Sequence, residues 1–146
     1  MNQKAPDPFA TTLQETSLWL QSVEGKVPPA RGDKDLAWAV LAATLHAIRD
    51  RLQPGAAIHL GAQLPMLVRG LYYEHWRITP DAAKERHKEQ FLEHVRKELP
   101  AGRQLDPEMA VRAVFGVMQE KLDSGQIAKV ARQMPKELRE LWPASL

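Results

Sequence analysis

The stretch Leu36–Ile48, LAWAVLAATLHAI, is apolar on nearly every side, and only Thr44 and His46 interrupt it. A helix needs roughly 20 apolar residues to span a bilayer, so this stretch is too short to cross a membrane. A helix that is apolar all round belongs in the interior of a helical protein. The sequence therefore predicts a soluble, all-α fold around a central helix that is capped by Asp33 and reaches about Leu52.

Three more helices are predicted around the central one in the first half of the chain. No segment shows the period-two alternation of a strand, so no sheet is predicted. The first helix carries one apolar stripe at spacings of three and four, namely Phe9, Leu13, Thr16, Leu20, Val23 and Val27. The predicted elements are a disordered tail (1–8), a helix that starts after the N-cap Asp7 and ends near Gly25, one from Pro54 to about Gln63, and one from Pro65 to about Trp76.

The second half of the sequence repeats the first. At a shift of 70 residues, Gln63-Leu64-Pro65 falls on Gln133-Met134-Pro135, and Gly55 falls on Gly125. Agreement in apolar pattern, glycine and proline predicts a tandem duplication of a four-helix unit of roughly 70 residues, packed as one compact body. The units are 9–76 and 77–146, and the helices of the second unit are expected to begin at Thr79-Pro80, Asp106-Pro107, Ser124-Gly125 and Pro135.

Composition excludes several classes of function. The chain has 146 residues and no cysteine, which removes disulfides, thiolate metal sites and cysteine nucleophiles and suits a reducing cytoplasm. Its net charge of +2 comes from 20 basic and 18 acidic residues, and the two signs alternate along the chain. Nucleic-acid binding needs clustered Lys and Arg, so no nucleic-acid partner is expected. No secretory signal is recognised in the polar residues 1–8, and a cytoplasmic location is predicted.

Three segments resemble a known bacterial family. They are DLAWAVL (35–41), LHAIRDRL (45–52) and above all LGAQLPMLVRGLYYEHW (60–76), and QMPKEL (133–138) with LWP (141–143) fits the second half. Over about residues 9–143 the chain is similar to the family catalogued as domain of unknown function 2267. His75 stands where we expect glycine in that family. The family carries no established activity, so the resemblance implies the fold class and a bacterial origin, and no mechanism.

Three residues are present in both copies and are predicted to be structural. A proline breaks the hydrogen-bond ladder of a helix and leaves carbonyls that a neighbouring glutamine amide can satisfy. This is the expected role of Gln63 beside Pro65. The shared arginine is expected to bind a carbonyl or carboxylate. The corresponding residues of the second copy are Gln133, Pro135 and Arg139, and the first copy's arginine is Arg69.

The helix from Pro65 to Trp76 is predicted to have two non-polar faces. Its core face consists of Leu64, Leu67, Val68, Leu71, Tyr72 and His75, and its second face consists of Met66, Gly70, Tyr73 and Arg77, flanked by Arg69 and Trp76. Glycine in a helix interior costs roughly 1 kcal/mol relative to alanine, which suggests that something approaches the backbone at Gly70. The second face packs against the other copy, forms a homodimer or partner contact, or floors a small-ligand groove. The candidate ligand or partner surface is therefore Met66, Arg69, Gly70, Tyr73 and Trp76.

No catalytic, metal or cofactor site is predicted. His87 and His94 are seven residues apart, about 10 Å along a helix, which suits one metal ion poorly. His46 and Asp50 lie one turn apart, a spacing typical of a pair that braces a helix. The leading interpretation is a non-enzymatic cytoplasmic module that binds a protein partner or a second copy. The alternative is a small-molecule binder or minor enzyme that uses a groove at the Pro65–Trp76 helix.

Overall fold

A computed structural model describes the chain over residues 7–78 and 86–144. These two ranges contain α-helices, one turn of 3-10 helix at Pro28–Ala30 and no strand, which confirms the all-α class. The α-helices are α1 (Pro8–Lys26), α2 (Lys34–Arg51), α3 (Pro54–Gly61), α4 (Met66–Tyr73), α5 (Lys88–Glu98), α6 (Pro107–Lys121), α7 (Ser124–Arg132) and α8 (Lys136–Arg139).

Helix α2 is the centre of the molecule. It begins where the Asp33 carboxylate accepts a hydrogen bond from the Leu36 amide at 3.0 Å, and it ends before Pro54, which opens α3. Buried residues lie on most of its circumference, and it contacts α1, α3, α4, α5 and α6. The stretch at the centre of the sequence therefore occupies the centre of the fold.

The two halves share one hydrophobic core. Helices α5 and α6 pack against α2, α6 also contacts α1, and α3 contacts α7. The core includes Ile48 and Tyr72 from the first half and Phe115 and Trp142 from the second, with the last two rings stacked at 3.9 Å. Both halves place two longer helices before two shorter ones, which is what a duplication requires. The duplication itself stays a prediction.

The shorter helices end earlier than the sequence predicts. Helix α3 ends at Gly61, and α4 runs from Met66 to Tyr73 with Pro65 as its extended N-cap. The predicted continuation to Trp76 is wrong, because His75 has φ 62° and turns the chain out of the helix. Left-handed backbone favours glycine, so the structure explains why glycine is expected at this position.

The helix predicted to begin at Thr79-Pro80 has its start outside the described residues. The described helix α5 begins at Lys88, after His87 with φ −104° and ψ 145°. A single helix therefore does not run from residue 79 into α5, because His87 is extended backbone. The predicted tail also falls largely outside the described ranges, whereas the Asp7 cap is confirmed by its 2.9 Å hydrogen bond from the Phe9 amide.

The apolar stripe of α1 is only partly buried. Its later members enter the core, but Phe9 is 67% exposed and Leu13 is 56% exposed. The first two turns of α1 therefore extend past the core with an apolar face uncovered. Within the described ranges, no helix combines the length and the hydrophobicity that a membrane span requires.

Candidate functional site

Helix α4 buries one face, as predicted, but fewer of its residues are buried than the sequence predicts. Among the described helices it contacts α1, α2 and α3 only. The side chains of Val68, Leu71 and Tyr72 are buried, and the Tyr72 hydroxyl donates to the Ala57 carbonyl at 2.7 Å. Burial raises the pKa of this phenol above its usual range, so it stays a neutral donor. Two other members of the predicted core face, Leu67 and His75, are exposed.

The second face of α4 does not pack against the described part of the other half. Met66 is 67% exposed. A Cβ placed on Gly70 would meet no atom of the described chain within 4 Å. The interpretation of α4 as the helix between the halves is therefore wrong. The second half packs on α2 instead, because α2 presents apolar residues in several directions whereas α4 lies on the outer side of its own half.

Tyr73 and Trp76 lie against their own half. The Tyr73 ring stacks on the Trp76 ring at 5.7 Å between centroids, and its hydroxyl donates to the Ile58 carbonyl at 3.3 Å. The ring also rests on Gly61, where an added Cβ would overlap the hydroxyl and lie 2.6 Å from Cζ. Gly61 thus leaves room for the ring. Sequence reasoning missed this residue, although alanine (Ala131) replaces it in the second copy.

Arg69 binds carbonyl groups, as predicted. Its guanidinium donates to the Gly61 carbonyl at 3.0 Å and to the Leu64 carbonyl at 2.8 Å. The Gly61 carbonyl, at the end of α3, also accepts the Leu64 amide at 3.1 Å, whereas Arg69 supplies the donor for the Leu64 carbonyl in the loop before α4. Arg69 is therefore occupied by the fold and is not free to bind a ligand with those two donors.

The glutamine prediction is wrong for the first copy. Gln63 makes no side-chain hydrogen bond within the described ranges, because Arg69 takes the carbonyls beside Pro65. In the second copy the Gln133 amide donates to the Lys129 carbonyl at 3.4 Å, near the end of α7. Arg139 forms no side-chain hydrogen bond or ion pair with the rest of the described chain. The two copies therefore satisfy the same helix end with different side chains.

Exposed apolar side chains lie on the two helices near the point where α1 contacts α4. The Thr12 hydroxyl is 3.9 Å from the Met66 sulfur, which joins the N-terminal part of α1 to the first turn of α4. Phe9 and Leu13 lie within one turn of Thr12, and Gly70 lies one turn beyond Met66. We call this surface the α1–α4 face; its residues are Phe9, Leu13, Met66 and Gly70.

A groove of about 480 Å³ lies between α7 and α8. Ala128, Ala131, Trp142 and Pro143 contribute apolar atoms, and Arg132, Arg139 and Glu140 contribute charge. Trp142 is held by its indole N–H, which donates to the Met134 sulfur at 3.4 Å, and by its stacking on Phe115. We call this cavity the α7–α8 groove. Of its residues, the sequence singled out Arg139 only, as a structural residue.

A buried polar cluster joins the two halves. His46 Nε2 lies 2.7 Å from the Leu71 carbonyl, and its Nδ1 lies 2.6 Å from a Glu98 carboxylate oxygen. A carbonyl only accepts, so Nε2 carries a proton and donates. Histidine therefore pairs across the halves with Glu98, and the predicted pairing with Asp50 is wrong. Both ring nitrogens are occupied and the side chain is buried, which is the arrangement of a structural histidine.

Asp50 belongs to the same cluster through two other partners. Arg49 Nε donates to it at 2.9 Å, and His94 Nε2 lies 3.3 Å from its second oxygen. Burial alone would raise the pKa of Asp50, but the hydrogen bonds from His94 and Arg49 outweigh burial and hold that pKa below its usual value. Arg49 also donates at 2.8 Å to the carbonyls of Tyr72 and Glu74, which fixes the end of α4.

His87 and Glu137 form a pair on the surface. His87 Nδ1 lies 3.0 Å from Glu137, whose other oxygen accepts the Lys88 amide at 2.9 Å. The amide and then the imidazole lower the pKa of Glu137. His87 and His94 thus contact different partners. Within residues 7–78 and 86–144, no three His, Cys, Asp or Glu side chains are grouped to hold a metal ion.

Comparison with known proteins identifies a family without an assigned activity. A family model described as "Uncharacterized conserved protein (DUF2267)" matches residues 16–141, which is most of the chain. No curated protein matches the sequence.

Proposed function

This chain belongs to the DUF2267 family of uncharacterized conserved proteins, and we propose that it is a non-enzymatic protein-interaction or regulatory module. The proposal concerns the first copy, where the predicted surface residues Met66 and Gly70 face outward. Cytoplasmic action is part of the proposal, because a chain without cysteine suits a reducing compartment.

The observation that carries the proposal is the exposed α1–α4 face. Three large apolar side chains, Phe9, Leu13 and Met66, are each more than half exposed and lie on two helices in contact. Isolated apolar residues are common on protein surfaces, whereas a contiguous group marks an interaction site. Aromatic side chains and methionine are also enriched in protein interfaces.

Gly70 indicates how a partner approaches. Glycine in a helix interior costs about 1 kcal/mol relative to alanine, and nothing within the described chain uses the space beside it. A helix lacking a side chain at that point lets a second helix come close to its backbone. We propose a second copy of this chain as the partner, with Met66 and Gly70 at the contact between the two copies.

The experiment is sedimentation velocity on the purified chain from about 1 to about 300 μM, a range that covers micromolar dissociation constants. The wild type is expected to shift from monomer to dimer across this range. Met66→Glu places a charge in the contact and should leave a monomer at all concentrations. Ile78→Glu is the matched control, since Ile78 is 64% exposed and lies outside the α1–α4 face. A monomeric wild type, or equal effects of both substitutions, would contradict self-association through this face.

The alternative function, ligand binding or minor catalysis at the Pro65–Trp76 helix, has less support from the geometry. Tyr73 and Trp76 stack on each other and lie over Gly61, and Arg69 is bound to carbonyl groups. The side chains proposed for the rim of a groove therefore fill that space or brace the backbone.

A further inference from the structure

We propose that the α7–α8 groove binds a small organic acid in which a flat apolar ring carries a carboxylate. This inference goes beyond the proposed interaction surface, because the groove and the α1–α4 face have no residue in common. It rests on three observations: an internal comparison between the two halves, two arginines whose side chains have no partner among the described residues, and the size of the groove.

The first copy shows what kind of group fills this space. There, the phenol ring of Tyr73 lies over Gly61 with its hydroxyl on the Ile58 carbonyl. At the shift of 70 residues, Pro143 replaces Tyr73 and Ala128 replaces Ile58. The second copy therefore has no aromatic ring at the equivalent position, and a smaller side chain beside it. The structure shows an open groove there, where the first copy holds a ring.

Ala131 defines how deeply a ring can enter. It replaces Gly61, and its methyl group occupies the space that the Tyr73 hydroxyl takes in the first copy. A bound ring must consequently lie further from α7 than Tyr73 lies from α3. Trp142, the half-buried Pro143 and Ala128 present the apolar surface that contacts it there.

The positive charge of the groove favours a ring that carries an acid over a neutral ring. Arg132 and Arg139 line the groove, and neither has a hydrogen-bonding or ionic side-chain partner within the described ranges. The counterpart of Arg139 in the first copy, Arg69, donates hydrogen bonds to carbonyl groups. Among the described residues that line the groove, Glu140 is the one acidic side chain, so the arginines exceed it by one charge. Guanidinium groups bind carboxylates through paired, charge-assisted hydrogen bonds.

The volume sets the size of the ligand. At about 480 Å³ the groove lies in the range of sites that hold small molecules. A single ring with a one-carbon acid arm fits this space. We therefore choose 4-hydroxyphenylacetate as the probe, since its ring is the one that fills the first copy.

The test is a titration of the full chain with 4-hydroxyphenylacetate, followed by amide and indole NMR shifts. We expect saturation with a dissociation constant of about 1 mM or tighter, and shifts centred on Ala131, Arg139 and the Trp142 indole. 4-Methylphenol lacks the carboxylate and acetate lacks the ring, so each should bind at least about tenfold more weakly.

Two variants locate the site. Arg132→Gln/Arg139→Gln should weaken binding at least about tenfold, whereas Arg31→Gln, an exposed arginine elsewhere, should leave it unchanged. Ala131→Gly/Pro143→Tyr rebuilds the filling of the first copy and should abolish binding, with far-UV circular dichroism verifying the fold. No saturation at about 10 mM, shifts centred elsewhere, equal binding of acetate, or full binding by either double variant would overturn the proposal.

Discussion

Gly61→Ala is expected to change the stability of the protein in opposite directions, depending on whether Tyr73 is present. In the wild type the new methyl group would overlap the Tyr73 hydroxyl and lie 2.6 Å from Cζ. Ordinary contacts of a Cβ are about 1 Å longer, so the ring has to leave its place. The ring then loses its contact with α3, its hydrogen bond to Ile58 and its stacking on Trp76.

The magnitude follows from what the ring contributes. An aromatic pair is worth about 0.5–1.5 kcal/mol beyond its buried area, and half-burying a ring adds about 1 kcal/mol. Alanine in place of the last glycine of α3 recovers about 0.5–1 kcal/mol of helix preference. Gly61→Ala should therefore lower the free energy of unfolding by about 1 kcal/mol. In a Tyr73→Ala background no ring is displaced and only the gain in helix preference remains. There, Gly61→Ala should raise the free energy of unfolding by about 0.5–1 kcal/mol.

Urea unfolding followed by circular dichroism measures all four members of this double-mutant cycle. The expected coupling between the two positions is about 2 kcal/mol. Ala131→Gly in the second copy is the matched control. It should cost about 0.5–1 kcal/mol, because it removes helix preference at a site where no ring lies above. If Gly61→Ala stabilises both backgrounds equally, the ring does not rest on Gly61 and the explanation of this glycine is wrong.

Three further substitutions test other parts of the structure. His75→Gly should raise the free energy of unfolding by about 1 kcal/mol, because φ 62° strains histidine. His59→Gly, at an exposed position of α3, should lower it by a similar amount. The midpoints of thermal unfolding of the two variants should differ by several degrees. Asp50→Asn should destabilise at pH 7. The pKa of Asp50 is lower in the folded protein, so the carboxylate stabilises the fold above the unfolded pKa of about 4, and this stabilisation is lost as the pH falls through the folded pKa. The urea midpoints of wild type and variant should therefore converge below about pH 4. A difference that stays constant with pH would show that the charge of Asp50 is not the cause. Arg69→Gln should cost about 1–2 kcal/mol in urea unfolding, because the Leu64 carbonyl loses its donor and the Gly61 carbonyl keeps only the Leu64 amide. Arg139→Gln should change stability by less than about 0.5 kcal/mol, and equal losses would show that Arg69 is no brace.

Local signals in the sequence were sufficient for the helices. The sequence predicts Asp7 and Asp33 as caps and Asp106-Pro107 as a helix start, and each aspartate accepts an amide hydrogen bond at the start of its helix. These signals act within a few residues, so no knowledge of the tertiary arrangement is needed to read them. The central position of α2 was also predictable, since a helix that is apolar all round has to be buried on every side.

Contacts between distant residues were not predictable in the same way. The pairing of His46 with Glu98 joins positions 52 residues apart, and nothing in the local sequence selects Glu98 over Asp50. The direction of the second face of α4 was missed for the same reason. Periodicity shows that a helix has an apolar face, but it does not show which neighbour covers that face or whether any does.

A comparison of the two halves at the shift of 70 residues indicates why one has a groove and the other does not. Tyr73 is the last residue of α4, and its ring reaches back over Gly61. Pro143, 70 residues after Tyr73, has no aromatic side chain. Helix α8 ends at Arg139, where the backbone changes to hydrogen bonds between residues three apart, and the groove beside it stays open. Arg69 braces the first half, whereas Arg139, 70 residues later, has no side-chain partner within residues 7–78 and 86–144. Gly61 with Tyr73 thus gives a filled and braced helix end, whereas Ala131 with Pro143 accompanies an open groove whose arginines have no side-chain partner among the described residues.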